Sequence, residues 1–197
     1  MDRLEFLKKM KTAVLAAGLL MMSTSCAFSG NSGNTVLNGD LKFTQADLSV
    51  KPFMEIEIET VADVYYTQTN GDQQDVRLDF SKISDPKFKK QLMENVKVVY
   101  RENKMIIGLA SRVKGISKLK NNERLRVYVT SPDLVKVSLE GVGSFNANAI
   151  NSDVFEIDNE GVGNVNVKNL LANKIEITNE GVGNVRIDNM QSDHVDI

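Results

Sequence analysis

Three observations predict an all-β fold built as a parallel β-solenoid with coils of roughly 20 residues. The first is a repeat. Glu140-Gly141-Val142-Gly143, Glu160-Gly161-Val162-Gly163 and Glu180-Gly181-Val182-Gly183 follow one another at a spacing of 20. The second is two-fold alternation within each copy, as in Val165-Asn166-Val167 and Ile175-Glu176-Ile177. That is the side-chain period of a strand with one apolar face. The third is the length of the period. Twenty residues are too few for a βαβ unit of about 30. They suit one coil of two or three short strands whose neighbours lie ~4.8 Å apart.

The columns of the repeat justify its elements in turn. Apolar columns run through Phe145, Val165 and Val185, through Ile150, Leu170 and Met190, and through Phe155, Ile175 and Val195. They predict the core. Gly141, Gly143, Gly161, Gly163, Gly181 and Gly183 mark tight corners, where a missing side chain lets backbones meet. The Val between each pair is expected to point inward. Asn164 and Asn184, with Asn159 and Asn179, predict side-chain amide ladders. Glu140, Glu160 and Glu180 form an acidic column, and Glu156, Glu176 and Asp196 another. Like charges at that spacing repel by roughly 1 kcal/mol in water, so both columns are expected to face solvent. The Glu140, Glu160 and Glu180 face could attract a divalent cation such as calcium, against the simpler expectation of a solvated acidic face. No other cofactor is expected.

Before the repeats the chain predicts an irregular β region that grades into regular coils. Residues 53–60, 64–68 and 76–80 alternate as strands, with Asn70-Gly71-Asp72 as a turn. Asp85-Pro86 opens a short helix reaching Asn95, with Pro in its first turn. Residues 96–100 and 105–109 form a hairpin. Residues 125–129 return to strand, and Ser131-Pro132-Asp133-Leu134 forms a corner.

The N-terminus has a different character. Lys8, Lys9 and Lys11 precede an apolar run from Ala13 to Met22, and Ser23, Thr24 and Ser25 stand before Cys26, the only Cys. A basic region, an apolar region of about ten residues and small residues at the cleavage point describe an export signal. The run is shorter than the ~20 residues of a membrane-spanning helix. Its position gives Cys26 the look of a bacterial lipoprotein's lipidated cysteine. Residues 1–25 are expected to be removed, with translation starting at Met1 or Met10. Residues 26–44 read as a flexible tether and 45–197 as a single β-solenoid domain. Ala27 follows Cys26 where Asp would favour inner-membrane retention, so an outer-membrane lipoprotein of the cell envelope is expected, facing the periplasm or the outside. A fourth corner falls due at position 200, beyond Ile197. The expectation is a domain truncated at its C-terminus, whose open end could also support end-to-end self-association.

Composition narrows the functions. One Cys and one His exclude an internal disulfide framework and a structural zinc site. A net charge of −2 argues against nucleic acid as a partner. The basic stretch of Arg112, Lys114, Lys118, Lys120, Arg124 and Arg126 reads as a solvated loop, or as a contact for an anionic glycan or headgroup. His194 shares its column with Val154 and Lys174 and reads as a surface residue. No nucleophile–base constellation is evident, so a polysaccharide-degrading β-helix enzyme ranks below a binding module or an envelope scaffold. Without Trp, the residues for stacking a sugar are Tyr65, Tyr66, Tyr100 and Tyr128.

One resemblance rests on this order of segments. An export signal, the strand Phe53–Thr60, Asp63-Val64-Tyr65-Tyr66-Thr67-Gln68, the 96–109 strand pair and the Gly-x-Gly coils together resemble the putative auto-transporter adhesin, head GIN domain family, over about residues 45–197. The resemblance implies a right-handed parallel β-helix-like fold and a non-catalytic, adhesin-like role toward a glycan or protein ligand. It brings no catalytic residues.

Overall fold

The computed structural model describes residues 36–37, 40–41, 50–113 and 123–197. The expected signal, Cys26, Lys114, Lys118 and Lys120 lie outside the described residues. Within residues 26–44, β1 (Val36–Leu37) and β2 (Asp40–Leu41) pair antiparallel. Then come β3 (Glu55–Ile58), β4 (Val61–Gln68) and β5 (Asp75–Asp79). Helix α1 (Pro86–Asn95) follows. Strands β6 (Val96–Arg101), β7 (Lys104–Leu109), β8 (Leu125–Ser131) and β9 (Lys136–Leu139) lead into the repeats. The repeats form the long strands β10 (Val142–Asn159) and β11 (Val162–Asn179), then β12 (Val182–Gln191) and β13 (His194–Asp196). Among the described residues α1 is the only helix; Asp85 caps it, accepting from the N–H groups of Lys87 and Phe88, with Pro86 in its first turn.

All these strands join one curled, mixed sheet. The all-β expectation holds, the expected 96–109 hairpin forms, and the sheet as a whole is mixed where a parallel solenoid was expected. β5 pairs antiparallel with β8, and β6 with β7, because each is joined or folded back by a short turn. The repeat region is parallel throughout. β10 pairs with β11 and β11 with β12, residue for residue at a shift of 20, from Val142↔Val162↔Val182 onward. β9 lays its strand beside both β3 and the end of β10.

The register exposes a corner that the repeat spacing does not announce. β4 pairs with the start of β10 as Val61↔Val142, Ala62↔Gly143 and Ser144↔Asp63. Glu59-Thr60-Val61-Ala62 therefore lies beneath Glu140-Gly141-Val142-Gly143. The hydrogen bonds repeat too. The N–H groups of Glu140 and Gly141 donate to the Ile58 carbonyl and that of Val142 to Thr60, at 2.8–3.1 Å. Glu160, Gly161 and Val162 donate to Leu139 and Gly141, and Glu180, Gly181 and Val182 to Asn159 and Gly161, over 2.7–3.0 Å.

Close approach explains the glycines. A Cβ on Gly163 would stand 1.8 Å from the Gly143 carbonyl oxygen, and one on Gly161 would stand 2.3 Å from that of Gly141. The corner beneath Glu59-Thr60 is different. There Ala62 pairs with Leu125, the first residue of β8. Thr60 and Ala62 carry side chains in columns that are glycine above them, and Ala62 lies beside Leu125 and not beside a glycine. The valines between the corner glycines correct a second expectation. Val142, Val162 and Val182 are 37%, 51% and 71% exposed, so they point outward and form a ridge.

The core fills the space inside the curl. Phe53, Ile58, Val64, Leu78, Leu92, Ile107, Val127, Leu139, Phe145, Phe155, Val165 and Ile175 are all buried. Tyr66 stacks on Phe145 at 6.0 Å, and its hydroxyl meets the Ser131 hydroxyl at 3.0 Å. Burial pushes the Tyr66 phenol far above its ordinary range, so it remains a neutral hydroxyl. No helix among the described residues is long and apolar enough to cross a membrane.

Candidate functional site

Two groups of side chains stand out on the outer surface, one at the corner and one on the broad face beside it.

At the corner, the parallel pairing of β3 with β9 brings Glu57 and Glu59 against Glu140. One carboxylate oxygen from each lies within 4.8 Å of the others. Glu57 is nearly buried and accepts from Lys104 Nζ at 2.5 Å. Burial raises its carboxyl, but Lys104 and a hydrogen bond with Glu59 outweigh that and hold it below the usual range. Glu59 bears the opposite consequence. Its carboxylate lies over Gly108, and that partial burial, then the Glu57 carboxylate, then the charge of Glu140 push it up. Burial and then the charges of Glu57 and Glu160 raise Glu140 as well. Glu59 thus takes a proton before Glu57, which stays ionised opposite Lys104. Among the described residues these three oxygens form the group that could hold a cation. The structure brings only Glu140 of the expected Glu140, Glu160 and Glu180 face into it. Glu160 and Glu180 continue the column, exposed to solvent.

The second acidic column is relieved by lysines. Lys104, Glu55, Lys136, Glu156, Glu176 and Asp196 are successive register partners. Lys136 Nζ lies 2.6 Å from Glu156 and 3.7 Å from Asp158, and Lys174 bonds Glu176.

On the broad face, outward side chains of six neighbouring strands fall into one row. Arg77 on β5 pairs with Tyr128 on β8, then Tyr65 on β4, Asn146 on β10, Asn166 on β11 and Arg186 on β12. The Tyr65 and Tyr128 rings stack at 5.3 Å and 21°, and the Arg77 guanidinium sits 4.2 Å from the Tyr128 centroid. Tyr128 is therefore covered on both sides. Asn166 donates to Asn146 at 3.0 Å, and Asn146 donates to Ser144 at 2.8 Å and to the Val64 carbonyl at 3.2 Å. Ser144 in turn donates to Asp63, which also pairs with Arg124 at 3.2 Å. Partial burial and the nearby Asp63 charge raise the Tyr65 phenol, with Arg126 opposing, so it presents a neutral hydroxyl.

The four tyrosines proposed for stacking separate here. Tyr65 is 38% exposed and Tyr128 joins it on this face, whereas Tyr66 is in the core. Tyr100 is half-buried against Phe53, and burial, then Asp75, push its phenol up to about 12. Arg124 and Arg126 of the basic stretch are held by Asp63 and Asp79. His194 is exposed on β13 beside Lys174. Arg77 escaped the sequence because its place in the row depends on the antiparallel register of β5. The match of Glu59-Thr60-Val61-Ala62-Asp63-Val64 to Glu140-Gly141-Val142-Gly143-Ser144-Phe145 was the signal that could have placed Tyr65 opposite Asn146.

The fold is thus a stack of β coils whose outer face carries an ordered row of aromatic and amide side chains. The chain belongs to the family described as putative auto-transporter adhesin, head GIN domain, whose model matches residues 52–193. Among solved structures it is similar to a putative adhesin from Bacteroides fragilis NCTC 9343, at 26% identity and a TM-score of 0.57, covering 69% of this chain and 57% of that one. It thus spans less than two thirds of that relative. It is also similar to a putative lipid binding protein from Parabacteroides distasonis ATCC 8503, at 13% identity and a TM-score of 0.49, covering 73% of this chain and 65% of that one. A putative adhesin from Parabacteroides merdae ATCC 43184 matches at 16% identity and a TM-score of 0.47, covering 74% of this chain and 72% of that one. No curated protein matches.

Proposed function

We propose that the protein is a non-catalytic, lipid-anchored protein of the cell envelope that binds a glycan or protein ligand through the face carrying Tyr65 and Tyr128. One observation carries this reading. The aligned row from Arg77 to Asn166 is held rigid by ring stacking and amide hydrogen bonds before any ligand arrives. Preorganised groups lose little conformational freedom on binding. Family membership supports an adhesin-like role. In the same proposal, residues 1–25 are removed, Cys26 carries the lipid, the segment after it spaces the domain from the outer membrane, and the coils wind as a right-handed parallel β-helix. The strict shift of 20 between β10, β11 and β12 supports the parallel coils of that winding.

Two experiments test it. Replacing Cys26→Ser should abolish incorporation of labelled palmitate and release the protein from the membrane fraction; unchanged labelling would refute the anchor. The full chain should bind at least one member of a panel of immobilised glycans and envelope or matrix proteins. Tyr65→Ala should remove that binding, and unchanged binding would refute the face.

A further inference from the structure

We infer that the ligand of this face is an extended, uncharged polysaccharide chain lying across the strands along the row from Arg77 to Arg186. The inference rests on the proposed use of the face and names its ligand class. Its first ground is charge. The arginines on this face are each engaged: Arg77 over Tyr128, Arg124 with Asp63 at 3.2 Å, Arg126 with Asp79 at 3.9 Å and Arg186 with Asp188 at 2.7 Å. An acidic polymer needs several cations that can turn toward it. These arginines are held by aspartates or a ring, which leaves, among the described residues, the exposed Lys168, two residues beyond Asn166, as the one such cation on β11 beside the row. The face therefore offers little net field to a charged ligand.

The second ground is relief. A protein partner is usually anchored by large apolar or aromatic side chains in desolvated pockets. Along this row the exposed large apolar surface is Tyr65 alone. A pyranose needs less: one aromatic surface for its C–H groups and planar amides for its hydroxyls. Tyr65 supplies the first and the Asn146–Asn166 ladder the second, with the Tyr65 hydroxyl as a further donor.

The third ground is length. Six strands at ~4.8 Å make a row of roughly 24 Å. That accommodates several sugar units in a line, whereas a single sugar would use only the Tyr65–Asn146 junction. At the parallel β10–β11 step the Asn146–Asn166 pair repeats one amide at a shift of 20, with Tyr65 on one side and Arg186 on the other to meet further sugars. Affinity is thus expected to grow with chain length.

Affinity electrophoresis of the full chain tests this, with neutral polysaccharides (a β-glucan, a mannan, a xylan) and acidic ones (polygalacturonate, heparin) in the gel. At least one neutral polysaccharide should retard the chain, with little change on adding salt. Tyr65→Ala should weaken that interaction at least about tenfold, Tyr65→Phe should keep most of it, and circular dichroism should show both variants folded. Stronger, salt-sensitive retardation by the acidic polymers would overturn the inference, as would retardation by none or retardation indifferent to Tyr65→Ala. If none retards the chain while Tyr65→Ala still removes binding to an immobilised protein, the glycan fails and the face survives. If Tyr65→Ala leaves all binding intact, both fail.

Discussion

Replacing Gly163 by alanine should show how far the stack depends on empty glycine columns. The new methyl carbon would stand 1.8 Å from the Gly143 carbonyl oxygen, 2.8 Å from its carbon and 3.1 Å from its nitrogen. Carbon contacts are comfortable at about 3.5–4.0 Å. The obstacle is backbone of the adjacent coil, paired in register as Gly143↔Gly163, so no side chain can rotate away. β10 and β11 must part locally by well over 1 Å. Overpacking of this kind costs about 1–3 kcal/mol, and each ladder hydrogen bond lost adds about 1 kcal/mol. A total of about 2–4 kcal/mol corresponds to a melting temperature lower by roughly 5–12 °C for a chain of this size. Positive φ is confined to Gly143 and Gly183 among the described glycines, so at Gly163 the effect is steric and not conformational. Urea unfolding should show a lower midpoint with an unchanged slope. Gly71→Ala is the control, since nothing lies within 4 Å of its added carbon. A loss at Gly163 below about 0.5 kcal/mol, the range of an ordinary surface change, would refute the reasoning.

Other outcomes follow from the same geometry. Glu59 has a folded-state pKa above its unfolded one, because of partial burial and the Glu57 and Glu140 carboxylates. The folded state therefore binds the proton more tightly, and stability is lost as pH rises from the unfolded value through the folded one. Glu59→Gln should raise the melting temperature at pH 8 and leave it unchanged at pH 3.5. Tyr66→Phe removes the 3.0 Å contact with the Ser131 hydroxyl and should cost about 1 kcal/mol in chemical denaturation, with ring packing on Phe145 kept. Val162→Thr should change stability by less than about 0.5 kcal/mol, because the side chain is 51% exposed; a core-sized loss would restore the inward orientation.

The regular part of the fold was legible because its columns repeat without interruption. Phe155, Ile175 and Val195 share a column in the sequence and are register partners in the sheet. The Asn columns became amide ladders, as between Asn159 and Asn179 at 2.7 Å. The corner at residues 59–62 was hidden for a physical reason. Glycine is demanded where one corner closes on another, as Gly163 does on Gly143, whereas Ala62 lies beside Leu125 of β8. The outward valines were misread because alternation says which residues share a face, not how the chain turns at a corner. Tyr65 and Tyr128 were found by residue type, but their stacking needs a β4–β8 pairing across more than 60 positions. The Glu57–Glu59–Glu140 group depends in the same way on β3 lying beside β9. The β6–β7 hairpin was legible from its turn, whereas β5 lies outside the repeat, where no column announces its antiparallel register with β8.

Hydroxyl-radical footprinting of the full chain, free and saturated with neutral polysaccharide, tests the central claim most directly. Exposed Tyr65 should be oxidised in the free chain and protected several-fold in the complex. Val182 and Met190, 71% and 47% exposed, should be oxidised equally in both. Unchanged oxidation of Tyr65, or protection confined to Val182 and Met190, would place the ligand elsewhere and contradict the account.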